Sequence, residues 1–179
     1  MSEHLDFSIA EQYAMRLDGV LFERFGRMLP SDEPDVLENR VRIAREFAPA
    51  QYILDGHSAA WVWGACVTPP QRPEFCQIMA NRGTDRFGTY RSQRYVRLRE
   101  GEVVHTRAGD VLSPWRTALH LLRWCPSVNA TTVETLLRRE QLTLSEAPAR
   151  IEEELAQNQR QFYLRPLERI ASASNPTNQ

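Results

Sequence analysis

The sequence contains no lysine, and all 22 of its basic side chains are arginine. A genome rich in G and C favours arginine codons and accounts for this bias along the whole chain, although single arginines can still pair bidentately with phosphate or carboxylate. Because 23 acidic side chains oppose them, the formal net charge is −1. This balance argues against a whole-molecule attraction to nucleic acid or to an anionic membrane. Any nucleic-acid binding must therefore come from a local patch.

Cysteine is scarce as well, with three residues and no Cys-x-x-Cys pair. The wide spacing of Cys66, Cys76 and Cys125 disfavours a disulfide framework or a zinc site and predicts free, buried thiols in a reducing cytoplasm. The chain has no apolar run of about eighteen residues or more, so we expect no membrane-spanning helix. It begins MSEHLDFSIAEQ, without the basic start and apolar stretch of a signal peptide. We therefore expect a cytoplasmic protein that has no membrane partner.

The residues that are present suit a globular α+β protein, with 179 residues of which 42% are hydrophobic and 25% charged. We predict a small mixed or antiparallel sheet flanked by helices, a degenerate winged-helix-like N-terminus and a helical C-terminal segment. Near the N-terminus, a short amphipathic helix over 7–17 is followed by a strand or small hairpin that ends at Pro30. Ser31 is followed in the sequence by acids and Pro34, which predicts a helix that starts there and runs to about Phe47.

The middle of the chain is predicted to form the α+β core. A short buried strand over 51–54 leads into a compact apolar helix that His57 or Ser58 opens. A strand follows at 75–80 and a β-like region at 88–114. The Ser-Pro pair at the end of that region then begins a helix, with a capping hydroxyl and a proline at the first helical position.

The rest of the chain is predicted to be helical up to a polar tail. Thr131 or Thr132 caps one helix, and a last helix runs over 147–170 with a kink at Pro166. The tail ASASNPTNQ is polar and is expected to be disordered. The N-terminal region, the core, the C-terminal helices and the tail thus occupy residues 1–48, 49–125, 126–170 and 171–179.

Two motifs in the core, with a β region between them, resemble a known family. The segment ILDGHSAAWVWG resembles the family pattern SHRSAAxLWG, in which a strand delivers a helix that ends in Trp-Gly. The segment REGEVVHTRAGDVLSPWRTALHLLR resembles GVxVTSPxRTALDLAR, in which a β-turn precedes a Ser-Pro-x-Arg-Thr helix start. Their order and separation also match, over residues 52–123. Both patterns belong to AbiEi-type bacterial antitoxins and to related actinobacterial proteins whose core precedes a very-short-patch-repair-like nuclease domain.

This resemblance implies a protein that binds a macromolecule. Antitoxins of this type carry an N-terminal winged helix-turn-helix that binds operator DNA, and a C-terminal domain that counteracts a nucleotidyltransferase-like toxin. Here the segment after Arg123 lacks the spaced carboxylates and the lysine of the nuclease branch. We therefore expect no nuclease domain, no enzyme activity and no cofactor.

The N-terminal region departs from the family pattern in two ways. One short helix precedes the Gly-Val-Leu-Phe segment that starts at Gly19, which we interpret as a remnant of the wing strand. The region is also acidic, which makes it a poor surface for a phosphate backbone. Between residues 2 and 38, three arginines (Arg16, Arg24 and Arg27) oppose nine acids: Glu3, Asp6, Glu11, Asp18, Glu23, Asp32, Glu33, Asp35 and Glu38.

The best candidate for a nucleic-acid or partner surface is the arginine-rich stretch 82–107. Tyr90 and Tyr95 interleave with its arginines, and a twisted hairpin would display several of them together. The alternative interpretation is a solvated face of the sheet. The candidate residues are Arg82, Arg86, Arg91, Arg94, Arg97, Arg99 and Arg107.

The remaining histidines and hydroxyls of the core give weaker candidates. His57 and Ser58 resemble a base and a nucleophile by residue type, but no Gly-x-Ser-x-Gly elbow surrounds Ser58. Capping of the helix is the favoured account of both residues, with anion binding as the alternative. His105 and His120 have no metal-ligand spacing, so we expect no metal site.

Arg116 and Thr117 lie in the first turn of the predicted Ser-Pro helix. Backbone N–H groups and a guanidinium at such a position can hold an anion. The favoured alternative is an ion pair from Arg116 to Asp55 or Asp110 that fixes strand to helix.

The leading hypothesis is an antitoxin-like or transcription-regulator-like protein that binds DNA or a toxin partner through the arginine-rich stretch. The alternative is a non-catalytic protein-interaction protein with an antitoxin-derived core and no DNA binding. A nucleic-acid-processing enzyme ranks third.

Overall fold

The computed structural model describes residues 7–25, 27–46, 48, 50–78 and 93–174, which form an α+β fold with a helical C-terminal part. Within these ranges, no helix combines the length and the apolar character needed to cross a bilayer. The elements in chain order are α1 (Ile9–Leu17), β1 (Leu21–Arg24), β2 (Arg27–Pro30), α2 (Leu37–Arg45), β3 (Ile53–Leu54), α3 (Gly56–Val62), β4 (Phe75–Ile78), β5 (Gln93–Val96), β6 (Val103–Thr106), β7 (Gly109–Leu112), α4 (Pro114–Trp124), α5 (Ala130–Arg139), α6 (Ala147–Glu154) and α7 (Gln157–Ser174).

The N-terminal segment is a helix followed by a hairpin. Ser8 caps α1 by accepting a hydrogen bond from the Glu11 N–H, and the Glu11 carboxylate accepts one from the Ser8 N–H at 2.8 Å. Strands β1 and β2 pair antiparallel, with Leu21 opposite Pro30. The predicted hairpin that ends at Pro30 is therefore confirmed. No residue of α1 is buried.

The helix that was predicted to start at Ser31 begins only at Leu37. Ser31 instead donates its N–H to the carbonyl of Val20 at 2.9 Å and lies in the turn that follows the hairpin. Asp35, which marked the expected first turn, lies before α2 and pairs with Arg40 at 2.5 Å. The prediction was wrong because serine, aspartate and proline are as common in turns as at helix starts.

The larger sheet has the strand order β5-β4-β3-β7-β6. β3 pairs antiparallel with β4 and parallel with β7. On one face Leu54 and Phe75 join the main core, and on the other Ile53 and Cys76 join a smaller cluster. The segment after β5 leads from one edge of the sheet to the other, and its Leu98 packs against this smaller cluster.

Helix α4 lies between the main core and a second, helical core. Ser113 caps it by accepting from the Arg116 N–H at 3.2 Å, and a proline follows the cap, which confirms the predicted helix start. Leu121 contacts the main core, whereas Trp115 and Leu119 pack among α5, α6 and α7. The helix thereby joins the sheet to the C-terminal helices.

The C-terminal helices differ from prediction in three places. Asn129, rather than Thr131 or Thr132, caps α5. The single helix expected over 147–170 is two helices, because Leu155 is extended and buried between them. Helix α7 continues to Ser174, so the first part of the tail is helical, and residues 175–179 lie outside the described residues.

Candidate functional site

The first family-like segment forms a joint between β3 and α3. We define the β3–α3 joint by Asp55, Gly56, His57 and Ser58, together with Glu74, which precedes β4. The Asp55 N–H donates to the Glu74 carbonyl at 3.0 Å, and the Glu74 N–H donates to Ser58 Oγ at 2.9 Å. Ser58 is fully buried and accepts this backbone hydrogen bond. It therefore fixes the start of α3 to the residue that precedes β4.

Asp55, and neither His57 nor Ser58, caps α3. Its Oδ1 accepts a hydrogen bond from the Gly56 N–H at 2.7 Å. The prediction that His57 or Ser58 caps the helix is wrong because the chain already turns at Gly56, where φ is +56°. The two predicted capping side chains are thereby free to contact other elements.

The Asp55 carboxylate, which follows β3, also forms ion pairs with side chains of β5 and α4. Its Oδ2 accepts from Arg94 Nη2 of β5 at 2.6 Å, and its Oδ1 lies 2.6 Å from Nδ1 of His120 of α4. Burial alone raises the pKa of Asp55, but the hydrogen bonds and charges of His120 and Arg94 outweigh it and hold the pKa below its usual value. The side chain is 2% exposed, so this is a buried, ionised carboxylate with two partners.

Two of the predicted surface arginines therefore make internal contacts. Arg94 is the partner of Asp55, and Arg99 donates from Nη1 to the carbonyl of Glu154 at 2.7 Å. Arg97 and Arg107 are exposed, and their side chains make no hydrogen bond or ion pair with the described part of the chain. Three further candidates lie outside the described residues: Arg82, Arg86 and Arg91.

The candidates in the first turn of α4 also contact their surroundings. Arg116 Nη1 lies 3.7 Å from Glu102 Oε1, whereas the sequence suggested Asp55 or Asp110 as its partner. That suggestion is wrong for Asp55 because Arg94 and His120 already occupy its carboxylate. Thr117 is fully buried and donates its hydroxyl to a β7 carbonyl at 3.3 Å. Both side chains therefore join α4 to the sheet.

A second cluster at the joint was missed by sequence reasoning. His57 Nδ1 lies 3.3 Å from Glu74 Oε1, and its Nε2 lies 3.3 Å from Cys125 Sγ at the end of α4. The hydrogen bond that the His57 ring donates to Glu74 raises the pKa of His57 to about 9; burial opposes this, and the charges of Glu74 and Cys125 add to it. Residue types alone pointed to His57, but its two partners are far from it in the chain.

No group of three or more His, Cys, Asp or Glu side chains in the described ranges is placed to hold a metal ion. His105, which was considered for such a role, has its Nδ1 2.8 Å from Asp110 Oδ1 and is largely exposed. The histidines described here are thus paired with carboxylates.

Stability should fall as pH rises from about 6.5 through 9, because the folded-state pKa of His57 is raised above its unfolded value. The contribution is fully present below the unfolded pKa and is lost above the folded one. The measurement is urea denaturation at pH 6.5 and 9.5. The Glu74→Gln variant should lose less stability over this window than the parent chain; equal losses would contradict the assignment.

Comparison with protein-family models, with curated proteins and with solved structures found no match to this chain. The resemblance of residues 52–123 to the antitoxin core therefore stays a prediction from two sequence motifs. A function can therefore be proposed from the geometry of the joint and from the exposed surfaces.

Proposed function

We propose that the chain is a non-catalytic, antitoxin-like cytoplasmic protein that acts by binding a basic protein partner through α1. The observation that supports this is the exposure of the apolar face of α1. Ile9 is 74% exposed, Tyr13 52% and Leu17 89%, although the helix carries a complete capping box. A helix of this kind is stabilised when its apolar face is covered.

The exposed side chains form one continuous stripe, which we call the α1 face: Ile9, Tyr13 and Leu17. They are spaced at i, i+4 and i+8, so they lie above one another along the helix. Phe7 before the helix and Val20 after it are also exposed, at 44% and 48%. Contiguous apolar surface of this kind marks interaction sites more often than scattered single residues do.

The acidic composition of the N-terminal segment that contains α1 favours a basic partner, although Arg40 and Arg42 pair with two of its acids, Asp35 and Glu33. Residues 2–38 carry nine acids against three arginines. A symmetric dimer through this face would bring the two acidic segments together, since a two-fold contact uses the same patch twice. Nucleic acid is disfavoured for the same reason. A protein with an apolar groove and basic surroundings complements both properties.

The antitoxin resemblance supplies the class of partner. It implies a nucleotidyltransferase-like toxin, and a protein of that class must attract nucleotides or nucleic acid, which favours a basic surface. The non-catalytic part of the proposal is supported by two buried hydroxyls, Ser58 in the joint and Thr117 in α4, which are hydrogen-bonded to backbone groups.

The test is co-expression with a nucleotidyltransferase-like toxin. The parent chain should co-purify with that toxin and restore growth. Leu17→Asp should weaken binding by about thirtyfold, the effect of losing an apolar contact of roughly 2 kcal/mol. Val67→Asp is the matched control, because Val67 is 90% exposed and lies outside the α1 face. Equal binding by the two variants would contradict the proposal.

DNA binding is the second candidate function, favoured by the exposed side chains of Arg97 and Arg107. If it were correct, the chain would shift its own promoter fragment at low salt, with affinity that falls steeply as salt rises. Arg97→Ala would then weaken the shift. Under the main proposal, no shift is expected even at low salt.

A further inference from the structure

Cys125 lies at the end of a relay of three side chains that the proposed binding function does not use. The thiol is half-buried at the C-cap of α4. Its Sγ lies 3.3 Å from His57 Nε2, and His57 Nδ1 lies 3.3 Å from Glu74 Oε1. A nucleophile, a base and a carboxylate that orients the base are the parts of an activated thiol. We propose that Cys125 is a nucleophilic thiol that forms mixed disulfides with low-molecular-weight disulfides.

The carboxylate of this relay is held rigidly. Glu74 Oε2 accepts a hydrogen bond from the His57 N–H at 2.7 Å, so one side chain fixes both the backbone and the ring of His57. The Glu74 backbone is hydrogen-bonded as well: its carbonyl accepts from the Asp55 N–H, and its N–H donates to Ser58 Oγ. A Cβ at Gly56 would lie 1.9 Å from Glu74 Oε2. Glycine at this position is therefore what allows the carboxylate to approach the start of α3.

The ring of His57 can stabilise the thiolate. With its pKa raised to about 9, chiefly by Glu74, it is an imidazolium near neutral pH. It then donates one N–H to Glu74 and the other to Cys125 Sγ. An adjacent imidazolium is one of the environments that make a cysteine reactive. Ser127 Oγ, at 3.6 Å from the same sulfur, is a neutral neighbour.

The reaction is a thiol–disulfide exchange. The Cys125 thiolate attacks one sulfur of the small disulfide, a new S–S bond forms, and the old S–S bond breaks. The departing thiolate takes up a proton from the His57 imidazolium or from water. The electrons balance without another oxidant, because the small disulfide is the oxidant: one of its sulfurs leaves as a thiol and the other stays bonded to Cys125.

The other cysteines are in different environments. Cys76 is fully buried in the sheet, and burial raises the pKa of its thiol well above the usual range. Burial also raises the pKa of Cys66, whose sulfur lies 3.8 Å from a threonine hydroxyl and is within electrostatic reach of Cys125. From α7, Arg169 donates to the carbonyl of the residue after Cys125 at 2.9 Å. His57, Glu74, Cys66 and Arg169 are thus titratable or charged groups near Cys125.

The experiment uses the full chain and 4,4′-dithiodipyridine as the disulfide probe. The reference is a synthetic peptide of residues 121–130, which carries the same cysteine without the fold. At pH 6.5, where an ordinary thiol is only about 1% thiolate, the folded chain should react on the order of fivefold faster than the peptide. Peptide mapping should place the label on Cys125, and Cys66→Ser should leave the rate unchanged.

His57→Gln separates the role of the imidazolium from that of the fold. The variant should lose the advantage at pH 6.5 and should react within about twofold of the parent at pH 9.5, where thiols are ionised without help. Three results would each overturn the proposal: a folded chain no faster than the peptide, a rate at pH 6.5 that His57→Gln does not change, or a label on Cys66. None of them would bear on partner binding by α1, which lies outside the β3–α3 joint.

Discussion

Replacing Asp55 with alanine should lower the free energy of unfolding by about 3 kcal/mol or more, the cost of removing one partner from a buried ion pair. Arg94 and His120 would keep their positions without the carboxylate that both contact at 2.6 Å. The N-cap of α3 would be lost in the same step, which costs about another 1 kcal/mol. Urea denaturation at pH 7 measures the effect.

The matched control is Glu23→Ala, which removes the carboxylate of the exposed Arg16–Glu23 pair, whose side chains are 46% and 40% exposed. An exposed pair of this kind contributes about 1 kcal/mol or less. Equal losses in the two variants would contradict the view that Asp55 holds β3, β5 and α4 together. The contribution of Asp55 should also disappear in acid: because its folded-state pKa is lowered, it is present above the unfolded pKa and is lost as pH falls through the folded one.

Gly56→Ala should cost about 3 kcal/mol, since two separate penalties act at this position. The positive φ of +56° disfavours any residue with a Cβ by about 1–2 kcal/mol. The added Cβ would also push the Glu74 carboxylate away from the His57 N–H, and a hydrogen bond to a charged group contributes about 1.5–3 kcal/mol. Thermal and urea denaturation measure the sum.

Gly101→Ala separates these two penalties. Gly101 has a φ of +82°, but a Cβ there meets no atom within 4 Å. Its replacement should therefore show the backbone strain alone, about 1–2 kcal/mol. If Gly56→Ala cost no more than Gly101→Ala, the close approach of Glu74 would have no energetic importance.

The sequence predicted those elements whose signals are local. The Ser-Pro start of α4 was correct because a capping hydroxyl and a proline at the first helical position act within one turn. The hairpin β1–β2 and the β-like region over 88–114, which contains β6, were also found from β-forming residues bounded by turns. The α+β class with a helical C-terminal part follows from the same patterns.

Predictions failed where tertiary contacts decide between local alternatives. Ser31 has the chemistry of a helix cap, yet its N–H completes a bond to Val20 instead. Leu155 lies in an otherwise helical pattern, but it is buried in an extended conformation that ends α6. Side-chain type cannot settle such choices, because the deciding contact is made by a residue elsewhere in the chain.

In the candidate site, even more depends on tertiary contacts that local sequence signals do not predict. Asp55 and Arg94 were both noticed as residues, but their pairing could not be predicted across the intervening strands. The pairing changes the role assigned to Arg94, because its guanidinium stabilises the fold and is not free to contact a partner. Cys125 and Glu74 carried no signal of their own, and only the fold brings them to His57.

Hydrogen exchange along the chain, with and without a nucleotidyltransferase-like toxin, tests the binding proposal most directly. In the free chain, amides of α1 should exchange much faster than those of α4, because no residue of α1 is buried. In the complex, α1 should become protected while residues 93–107 stay unchanged. Protection that appears over residues 93–107 instead, or an α1 that is already protected in the free chain, would contradict the account.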